Sequence, residues 1–369
     1  MKIAVKGIAG FCLFSLALVL AACGGGGGNA APGAGPGGFA YVTNVGTNTV
    51  SVYAIDSTSG ALTSAGSAPT GQTPSSLAAH PSGRFVYVAN FATSDISAFA
   101  IDPTTGALAA IGTPLATGGS GPVSIAVDPL GRFAFVVNQT TQPTNTVTVH
   151  DIDPVTGAVS GAFFRTTGEF PQSIAVEPSG RFAYVTSVNP TGAVFFYGID
   201  LFLKLEFTGQ TATGELPREI AVDPLGRFAY VTNVGGLTPG VSVYAINQMT
   251  GALTQVGTGV AAGSAPRAIT VDPSGRFVYV ANENSDDVTT FSINQATGEL
   301  TQVGTATAAG DRPFSLTADP SGRFVYVVNR TSDNISVYTI NQATGALTGA
   351  GTFPGGDDQR DIVIVGMAP

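Results

Sequence analysis

Three arginines occupy one position of a repeated segment, and their chemistry points to anion binding. They are Arg218, Arg267 and Arg360, and the other copies of the segment place here Ser75, Val123, Gln172 and Phe314. A position that accepts such different side chains does not need arginine for folding. A guanidinium group binds a carboxylate or a phosphate through two parallel hydrogen bonds. If the repeats bring these arginines together, they predict a site for an anionic ligand.

Other charged residues fall near the same level of the repeat: Arg312, Arg330, Glu219, Glu283 and Asp361. Guanidinium groups ~10 Å apart repel each other by roughly 0.4 kcal/mol per pair in water, and by more in a dry channel. A bound anion would offset this repulsion. A structural belt of ion pairs would also offset it, for example Arg267 with Glu219 of the preceding repeat and Arg360 with a neighbouring acid. The two interpretations are compatible, and the sequence leaves both open.

The element that positions these residues is a unit that recurs seven times, at spacings of 46 to 49 residues. Its anchor segments are Tyr41–Asn44, Tyr87–Asn90, Phe135–Asn138, Tyr184–Ser187, Tyr230–Asn233, Tyr279–Asn282 and Tyr326–Asn329. Each unit reads as four short strands, such as those predicted at Ile220–Val222, Arg227–Thr232, Val241–Ile246 and Leu253–Val256, with Asp-Pro-x-Gly and Thr-Gly turns. Periods of this length indicate an all-β, seven-bladed β-propeller of four-stranded antiparallel blades.

The two ends of the repeat region predict how the ring closes. The first unit starts at Phe39 with a second strand, and Arg360 to Val365 is a first strand without the rest of its unit. The C-terminal strand is therefore expected to pair with the N-terminal blade, which leaves no open sheet edge. The second strands, such as "RFVYVAN", are apolar throughout, so both faces of each blade should be covered.

Several chemically suggestive residues are explained by the repeat itself. Six arginines follow the turn glycine: Arg84, Arg132, Arg181, Arg227, Arg276 and Arg323. His80 takes the place of a turn aspartate and His150 that of a packed aromatic residue, and the chain has no other histidine. No metal site built on histidine and no cofactor-binding motif is expected. The net charge of −9 and the lack of a basic stripe exclude nucleic acid as a partner.

The N-terminal segment predicts export and lipidation. Lys2 and Lys6 precede an apolar run of signal-peptide length, and Leu20-Ala21-Ala22-Cys23 resembles the lipobox of bacterial lipoproteins. We expect a signal peptide over 1–22, a Gly/Pro/Ala-rich tether over 23–38 and a propeller over 39–369. The expected partner of the lipid on Cys23 is a membrane. By the same resemblance, Gly24 after the cysteine favours the outer membrane. The propeller itself is expected to be monomeric.

The repeat motifs resemble a known family. The tetrapeptides "YVTN" and "YVAN" and the segment "INQATGALT" are similar to those of the seven-bladed lactonase-type propellers, which include 6-phosphogluconolactonase-like and YVTN-repeat surface proteins. The resemblance covers residues 39–365. It implies that the first strand of each blade is innermost, so that Arg218, Arg267, Arg360 and Arg312 converge on one mouth of the central channel. Variable loops between second and third strands lie at that mouth, and Arg330 enters it too.

Two functions follow from this arrangement. The preferred one is a lipid-anchored propeller that binds an anionic small molecule or a protein partner on its variable-loop face. The alternative is a lactonase in which Glu219 or Glu283 activates water while Arg218 and Arg267 stabilise the oxyanion. Enzyme-like relatives commonly read "PRH" at the start of the first strand. Here blade five has Glu219 and blade six has Ala268 in place of that histidine, and Ser332 replaces a second one.

Overall fold

A computed structural model describes residues 36–139, 145–188, 191–200, 204–236 and 240–366. The predicted signal peptide, Cys23 and nearly all of the predicted tether lie outside the described residues. In the described ranges, no helix has the length and apolarity that crossing a membrane requires. The secondary structure described consists of strands and turns.

The chain forms strands β1 (Pro36–Asn44), β2 (Thr49–Asp56), β3 (Leu62–Pro69), β4 (Pro74–Ala79), β5 (Phe85–Asn90), β6 (Asp95–Ile101), β7 (Leu108–Ala110), β8 (Leu115–Ala116), β9 (Pro122–Val127), β10 (Phe133–Asn138), β11 (Thr146–Ile152), β12 (Val159–Thr166), β13 (Pro171–Val176), β14 (Phe182–Ser187) and β15 (Ala193–Asp200). The remaining strands are β16 (Lys204–Ala212), β17 (Pro217–Val222), β18 (Phe228–Asn233), β19 (Gly240–Ile246), β20 (Leu253–Ala261), β21 (Pro266–Val271), β22 (Phe277–Asn282), β23 (Asp287–Ile293), β24 (Leu300–Gln302), β25 (Thr307–Ala308), β26 (Pro313–Ala318), β27 (Phe324–Asn329), β28 (Asn334–Ile340), β29 (Leu347–Pro354) and β30 (Gln359–Gly366).

These strands build seven antiparallel sheets, which are the seven blades of the predicted propeller. Blades two to seven begin with β4, β9, β13, β17, β21 and β26, and each runs in chain order from inside to outside. The first strand of every blade contacts the first strands of both neighbouring blades, so these strands form the innermost ring. In blades two and six the outer strand is split in two, because β8 and β25 pair separately with the third strand.

Blade one closes the ring as expected. Its order is β3-β2-β1-β30, so the last strand of the chain pairs with the first. The pairing runs antiparallel from Gly38 opposite Gly366 to Asn44 opposite Gln359. The predicted closure by the C-terminal strand is confirmed.

The core lies between the blades. All six residues of each second strand from β5 onward are buried, which confirms the interpretation of the continuous apolar runs. Seven apolar clusters form, one between each pair of adjacent blades. Because each blade is covered on both faces by its neighbours, the hydrophobic effect holds the ring together blade by blade.

A buried tyrosine adds a polar link between blades. The hydroxyl of the second-strand tyrosine donates to the carbonyl of the outer-turn glycine in the next blade, at about 3 Å, as from Tyr41 to Gly106 and from Tyr326 to Gly60. The same bond leaves Tyr87, Tyr184, Tyr230 and Tyr279. Blade three has Phe135 at this position and therefore lacks the donor.

The turns between first and second strands form the face opposite the predicted mouth, here called the turn face. In blade three, the buried Asp128 carboxylate accepts the backbone N–H groups of Arg132 and Phe133. Arg132 also forms an ion pair with Asp128 and stacks on Phe133, with its guanidinium carbon 5.2 Å from the ring centroid. The arginines that follow the turn glycines are thus part of the scaffold, as the repeat predicts.

Candidate functional site

The end of the channel where the first strands begin, here called the mouth, has a repeated backbone distortion. In blade five, Pro217 pairs with Asn233 and Ile220 with Val231, so Arg218 and Glu219 together oppose one residue. The other first strands show the same shift in register. Such β-bulges redirect side chains and are common beside functional sites. The arginine position found in the sequence is therefore a bulge position.

The bulge also explains why first strands are longer than predicted. Strand β17 begins at Pro217 rather than at Ile220, because pairing resumes beyond the bulge. The fourth strand of this blade, β20, likewise extends past the predicted Val256 to Ala261, after a register shift of its own.

A polar cavity of about 100 Å³ lies at the mouth and is lined by residues from all seven blades. One water molecule needs roughly 10–15 Å³ of such space, so the cavity has room for several waters or a small polar group. Its lining comprises Ser75, Ser76, Val123, Ser124, Gln172, Ser173, Arg218, Glu219, Arg267, Phe314, Ser315, Arg360 and Asp361. The structure thus brings together the three arginines that share the bulge position.

Glu283 holds two of the predicted arginines. It forms an ion pair with Arg267 at 3.3 Å and another with Arg312. Burial alone would raise the pKa of Glu283, but the Arg267 charge and the Arg312 hydrogen bond lower it below its ordinary value. Burial, together with the charges of Arg218 and Arg360, lowers the pKa of Arg267 to about 10, so this side chain is still a cation at neutral pH. The direct partner of Arg267 is therefore Glu283 and not Glu219.

Asp358 makes a second bridge of the same kind, and sequence reasoning missed it. It pairs with Arg330 at 2.5 Å and with Arg360 at 3.1 Å. Burial opposes ionisation, but the hydrogen bonds from Arg360 and Arg330 lower the pKa of Asp358. The signal that would have found it is its place in the repeat, since Asp358 and Arg312 both immediately precede a first strand.

Phe314 packs among three guanidinium groups at the mouth. The guanidinium carbons of Arg267, Arg360 and Arg330 lie 3.4, 4.9 and 5.4 Å from the centroid of its ring. The negative face of an aromatic ring attracts cations, more strongly when they are desolvated. The phenylalanine that fills the bulge position of blade seven thus helps to keep three like charges close together.

Arg218 differs from the other four arginines because it has no acidic partner among the described residues. Its Nη1 donates to Gln172 Oε1 at 2.9 Å. Its Nε is buried and has no hydrogen-bond partner within the part of the chain that the structure describes. An unsatisfied buried donor is costly, and a charged one more so. Arg218 therefore has donor capacity available for a ligand.

Glu219 lines the cavity but is surrounded by the ring of first strands. Its Oε2 accepts the backbone N–H of Ile269 in the next blade at 2.9 Å. Burial and the Asp361 charge raise the pKa of Glu219 to about 8, against the smaller effects of the Ile269 N–H and Arg267. A carboxyl group with such a pKa can exchange its proton near neutrality.

Asp361 has the same place in its repeat as Glu219, and it also joins blades. Its carboxylate accepts hydrogen bonds from Ser76, Leu77 and Ser315, on the two blades beside blade one. Burial raises its pKa, and these hydrogen bonds oppose the shift. Serines do a similar task elsewhere, since Ser76 Oγ accepts the Ile125 N–H. Sequence reasoning missed this linking position.

The ion-pair belt and the cavity lining together have an excess of positive charge. Five arginines face two carboxylates whose pKa values are lowered, Glu283 and Asp358. Ionised Glu219 and Asp361 would add two negative charges, and the sum over these nine groups would still be positive. The belt of ion pairs is thus present, and the binding of an anion stays a prediction.

The two histidines lie away from this site. His80 sits in a turn, where Nδ1 contacts Ser82 Oγ at 2.7 Å and Nε2 contacts the Gly131 carbonyl oxygen at 3.1 Å. His150 is fully buried in β11, and burial lowers its pKa, which keeps the ring neutral. The described residues contain no group of three or more His, Cys, Asp or Glu side chains suited to a metal ion.

Comparison with known proteins identifies the family. Residues 34–124, 163–267, 202–312 and 266–360 match the family model described as a lactonase with a seven-bladed β-propeller. Among curated proteins, none is similar enough in sequence to match the chain.

Solved structures share the fold at low sequence identity. A periplasmic gluconolactonase from Pseudomonas aeruginosa is 23% identical with a TM-score of 0.78, over 90% of this chain and 99% of that one. A candidate 6-phosphogluconolactonase from Bacteroides fragilis is 21% identical with a TM-score of 0.76, over 89% and 98%. Hydrazine synthase from Kuenenia stuttgartiensis also matches, at 19% identity and a TM-score of 0.63, over 85% and 97%. The same fold thus occurs in structures with unlike descriptions, so the fold alone does not give the function. Because the family model covers most of the propeller, the chain belongs to the seven-bladed lactonase-type β-propeller family.

Proposed function

We propose that the protein hydrolyses a lactone at the mouth cavity. The observation that carries the proposal is the meeting, in one cavity, of a carboxyl group with a pKa of about 8 and an arginine with unused donors. Family membership and the gluconolactonase among the similar structures support the same activity. They do not support the preference, drawn from sequence, for a propeller that only binds its ligand.

In the proposed reaction, ionised Glu219 takes a proton from a water molecule as the water oxygen attacks the lactone carbonyl carbon. Arg218 and Arg267 donate hydrogen bonds to the oxyanion that forms. The ring C–O bond then breaks, and protonated Glu219 returns the proton to the leaving oxygen. The product hydroxy acid is an anion, and the positive mouth holds it until release. Glu283 is the weaker candidate for the base because two arginines keep it ionised and occupied.

Glu219 also stands where enzyme-like relatives carry a histidine. A carboxyl group with a pKa of about 8 titrates near neutrality, as a histidine does. The substitution therefore preserves a proton acceptor at this point of the mouth. Enzyme-like relatives have a second histidine where this chain has Ser332. No residue takes the place of that histidine in the proposed reaction.

The test is hydrolysis of a panel of lactones by the purified protein, followed by acid release at constant pH, with glucono-δ-lactone included. Arg218→Gln is the sharpest variant, because Arg218 has no acidic partner among the described residues that would be left unpaired. We expect kcat/KM to fall about 10- to 150-fold, corresponding to about 1.5–3 kcal/mol for a charged hydrogen bond. The melting temperature should stay within a few degrees of wild type.

Two further variants control this measurement. Arg276→Gln removes an exposed arginine of the turn face and should leave kcat/KM unchanged. Arg218→Gln combined with Arg267→Gln should lower activity further and weaken the dependence on added salt. Wild-type protein that hydrolyses none of the lactones, or an Arg218 variant as active as wild type, would contradict the proposal.

We also propose that the protein is exported and carries lipid on Cys23, as the Leu20-Ala21-Ala22-Cys23 motif indicates. The solved gluconolactonase of similar fold is described as periplasmic, which fits export. Cys23→Ser should release the protein from the membrane fraction or leave the precursor uncleaved. N-terminal sequencing and labelling with a fatty-acid analogue measure this directly. Wild-type protein with a mature N-terminus elsewhere, or a Cys23→Ser variant that stays in the membrane fraction, would refute lipidation.

A further inference from the structure

The residues that surround the mouth divide it into two unlike sectors. The residue before each first strand is, from blade one to blade seven, Asp358, Thr73, Gly121, Phe170, Leu216, Ala265 and Arg312. The residue after each second strand is, in the same order, Val45, Phe91, Gln139, Val188, Val234, Glu283 and Arg330. In these two rings, the charged side chains all belong to blades six, seven and one. The large exposed apolar side chains belong to blades two, four and five.

The apolar sector consists of Phe91, Phe170 and Leu216, which are 40%, 53% and 45% exposed. Phe91 of blade two leans over blade three, since its ring would lie 3.0 Å from a Cβ added at Gly121. The three side chains therefore belong to the rim of blades two, four and five, and Phe91 reaches over blade three. Single exposed apolar residues need no explanation, but three at matching rim positions are a candidate binding surface.

The backbone at this position is left-handed in every blade. The φ angle lies between 48° and 59° at Asp358, Thr73, Gly121, Phe170, Leu216, Ala265 and Arg312. Gly, Asn and Asp adopt such backbone more readily than bulky side chains do. The conformation therefore belongs to the repeat, and asparagine suits it in blades four and five.

The charges around the apolar sector orient a ligand. Glu169 and Glu215 directly precede Phe170 and Leu216 and are exposed, so they repel an anion from that side. The arginine belt on the other side attracts it. Gln172 of blade four, which accepts a hydrogen bond from Arg218, lines the cavity beside the apolar sector. A ligand that satisfies both sectors has an anionic or carbonyl end and an apolar end.

We propose that the apolar sector binds the non-polar part of the substrate, so that the preferred substrate is a lactone that carries an alkyl or aryl substituent. This inference rests on the proposed lactone hydrolysis. The reacting ester lies at Arg218 and Glu219, and the substituent extends over Phe170 and Leu216. A small polyhydroxylated lactone would leave the apolar sector in water and should be a poorer substrate.

The kinetic test compares γ-butyrolactone with γ-decalactone, which differ only in a hexyl chain. Wild-type protein should show at least about a tenfold higher kcat/KM for the longer lactone, since burying each methylene group favours binding. The double variant Phe170→Asn, Leu216→Asn suits left-handed backbone and removes the apolar surface. The double variant should lose most of this preference through a higher KM for γ-decalactone. Its kcat/KM for γ-butyrolactone and its melting temperature should equal those of wild type.

The control variant is Leu225→Asn, which removes a leucine that is 67% exposed on the turn face and should leave the preference intact. An equal kcat/KM for the two lactones in wild type, or a preference unaltered in the double variant, would overturn the inference while leaving hydrolysis established.

A binding measurement separates this inference from the proposed activity. The fluorescent probe 8-anilinonaphthalene-1-sulfonate has an anionic group and an aromatic body, and it needs no hydrolysis. It should bind one per protein, and both Phe170→Asn, Leu216→Asn and Arg218→Gln, Arg267→Gln should weaken that binding about tenfold or more. If every lactone resists hydrolysis but the probe shows both dependences, the hydrolase proposal fails and the amphipathic site stands. Binding that neither double variant alters would overturn the site itself.

Discussion

Glu219→Gln is expected to remove most lactone hydrolysis and, at alkaline pH, to make the protein more stable. Loss of a general base typically costs a factor of about 10²–10⁴ in rate. The amide oxygen of glutamine can still accept the Ile269 N–H, so the link between blades five and six survives. In wild type the active form is the carboxylate, so kcat/KM should rise with pH through the pKa of about 8. Titration of initial rates from pH 6 to 10 measures this profile.

The stability effect follows from the same pKa. A carboxyl group has its ordinary value of about 4.5 in the unfolded chain and about 8 in the folded protein. Below pH 4.5 the folded protein and the unfolded chain both hold the proton, so Glu219 does not lower the free energy of unfolding. Between pH 4.5 and 8 the unfolded chain alone releases it, so the free energy of unfolding falls by up to about 1.4 kcal/mol per pH unit. Glutamine has no such penalty, so the melting temperature of the variant should exceed that of wild type increasingly from pH 5 to 8, and by a constant margin above that.

Glu283→Gln is the matched comparison. Glu283 forms ion pairs with Arg267 and Arg312, and its pKa is lowered, so this variant should lose stability above pH 5 instead of gaining it. Its residual activity should keep a midpoint near pH 8. A Glu219→Gln variant with full activity, or a Glu283 variant that alone loses the pH dependence, would assign the base to Glu283.

Removal of residues 359–369 is expected to abolish cooperative folding. The deletion takes β30 from blade one and exposes the edge of β1. Ile362, Ile364 and Val365, which are 4%, 9% and 7% exposed, leave the apolar clusters on both sides of blade one. At roughly 1.5–3 kcal/mol for each buried side chain, their loss approaches the whole stability of a typical domain, about 5–15 kcal/mol. Circular dichroism melts and limited proteolysis measure the outcome.

Two control chains show whether β30 acts by closing the ring. Removal of 367–369 alone ends the chain at Gly366, the last residue of β30, and should leave the melting temperature unchanged. A permuted chain that joins 355–364 to Phe39 through an Asp-Pro-Ser-Gly-Arg turn restores the connection found in other blades. This permuted chain should fold even when residues 359–369 are removed from its C-terminus. A chain lacking 359–369 that melts cooperatively at the wild-type temperature would disprove the role of β30.

The sequence predicts the scaffold well because each scaffold residue recurs. Seven copies of the tetrapeptide and six of the turn define blade number, strand order and closure, and every one of these expectations is met. The bulge at Arg218 was not predicted, because a register shift is a property of two paired strands and leaves no motif in either. Strand one was therefore predicted too short at its mouth end.

The mouth was predicted in composition and not in its contacts. The sequence identified Arg218, Arg267, Arg312, Arg330 and Arg360 by subtraction of the repeat, and the structure places all five at the mouth. The choice of partner depends on side-chain reach across blades. Asp358 was missed, and Glu219 was expected to pair with Arg267. The raised pKa of Glu219 arises from burial in the ring and from Asp361, far away in the sequence, and no local pattern reports it.

The position of β30 has a consequence for the order of synthesis. Arg360 and Asp361, which line the mouth cavity, belong to the last strand of the propeller to leave the ribosome. A nascent chain that has already formed blades two to seven still lacks one of the bulge-position arginines and the carboxylate that joins blades one, two and seven. Ring closure and completion of the mouth are therefore the same event. During translation, and during any export of the unfolded chain, the protein holds no finished binding site, and the site forms only when the ring is whole.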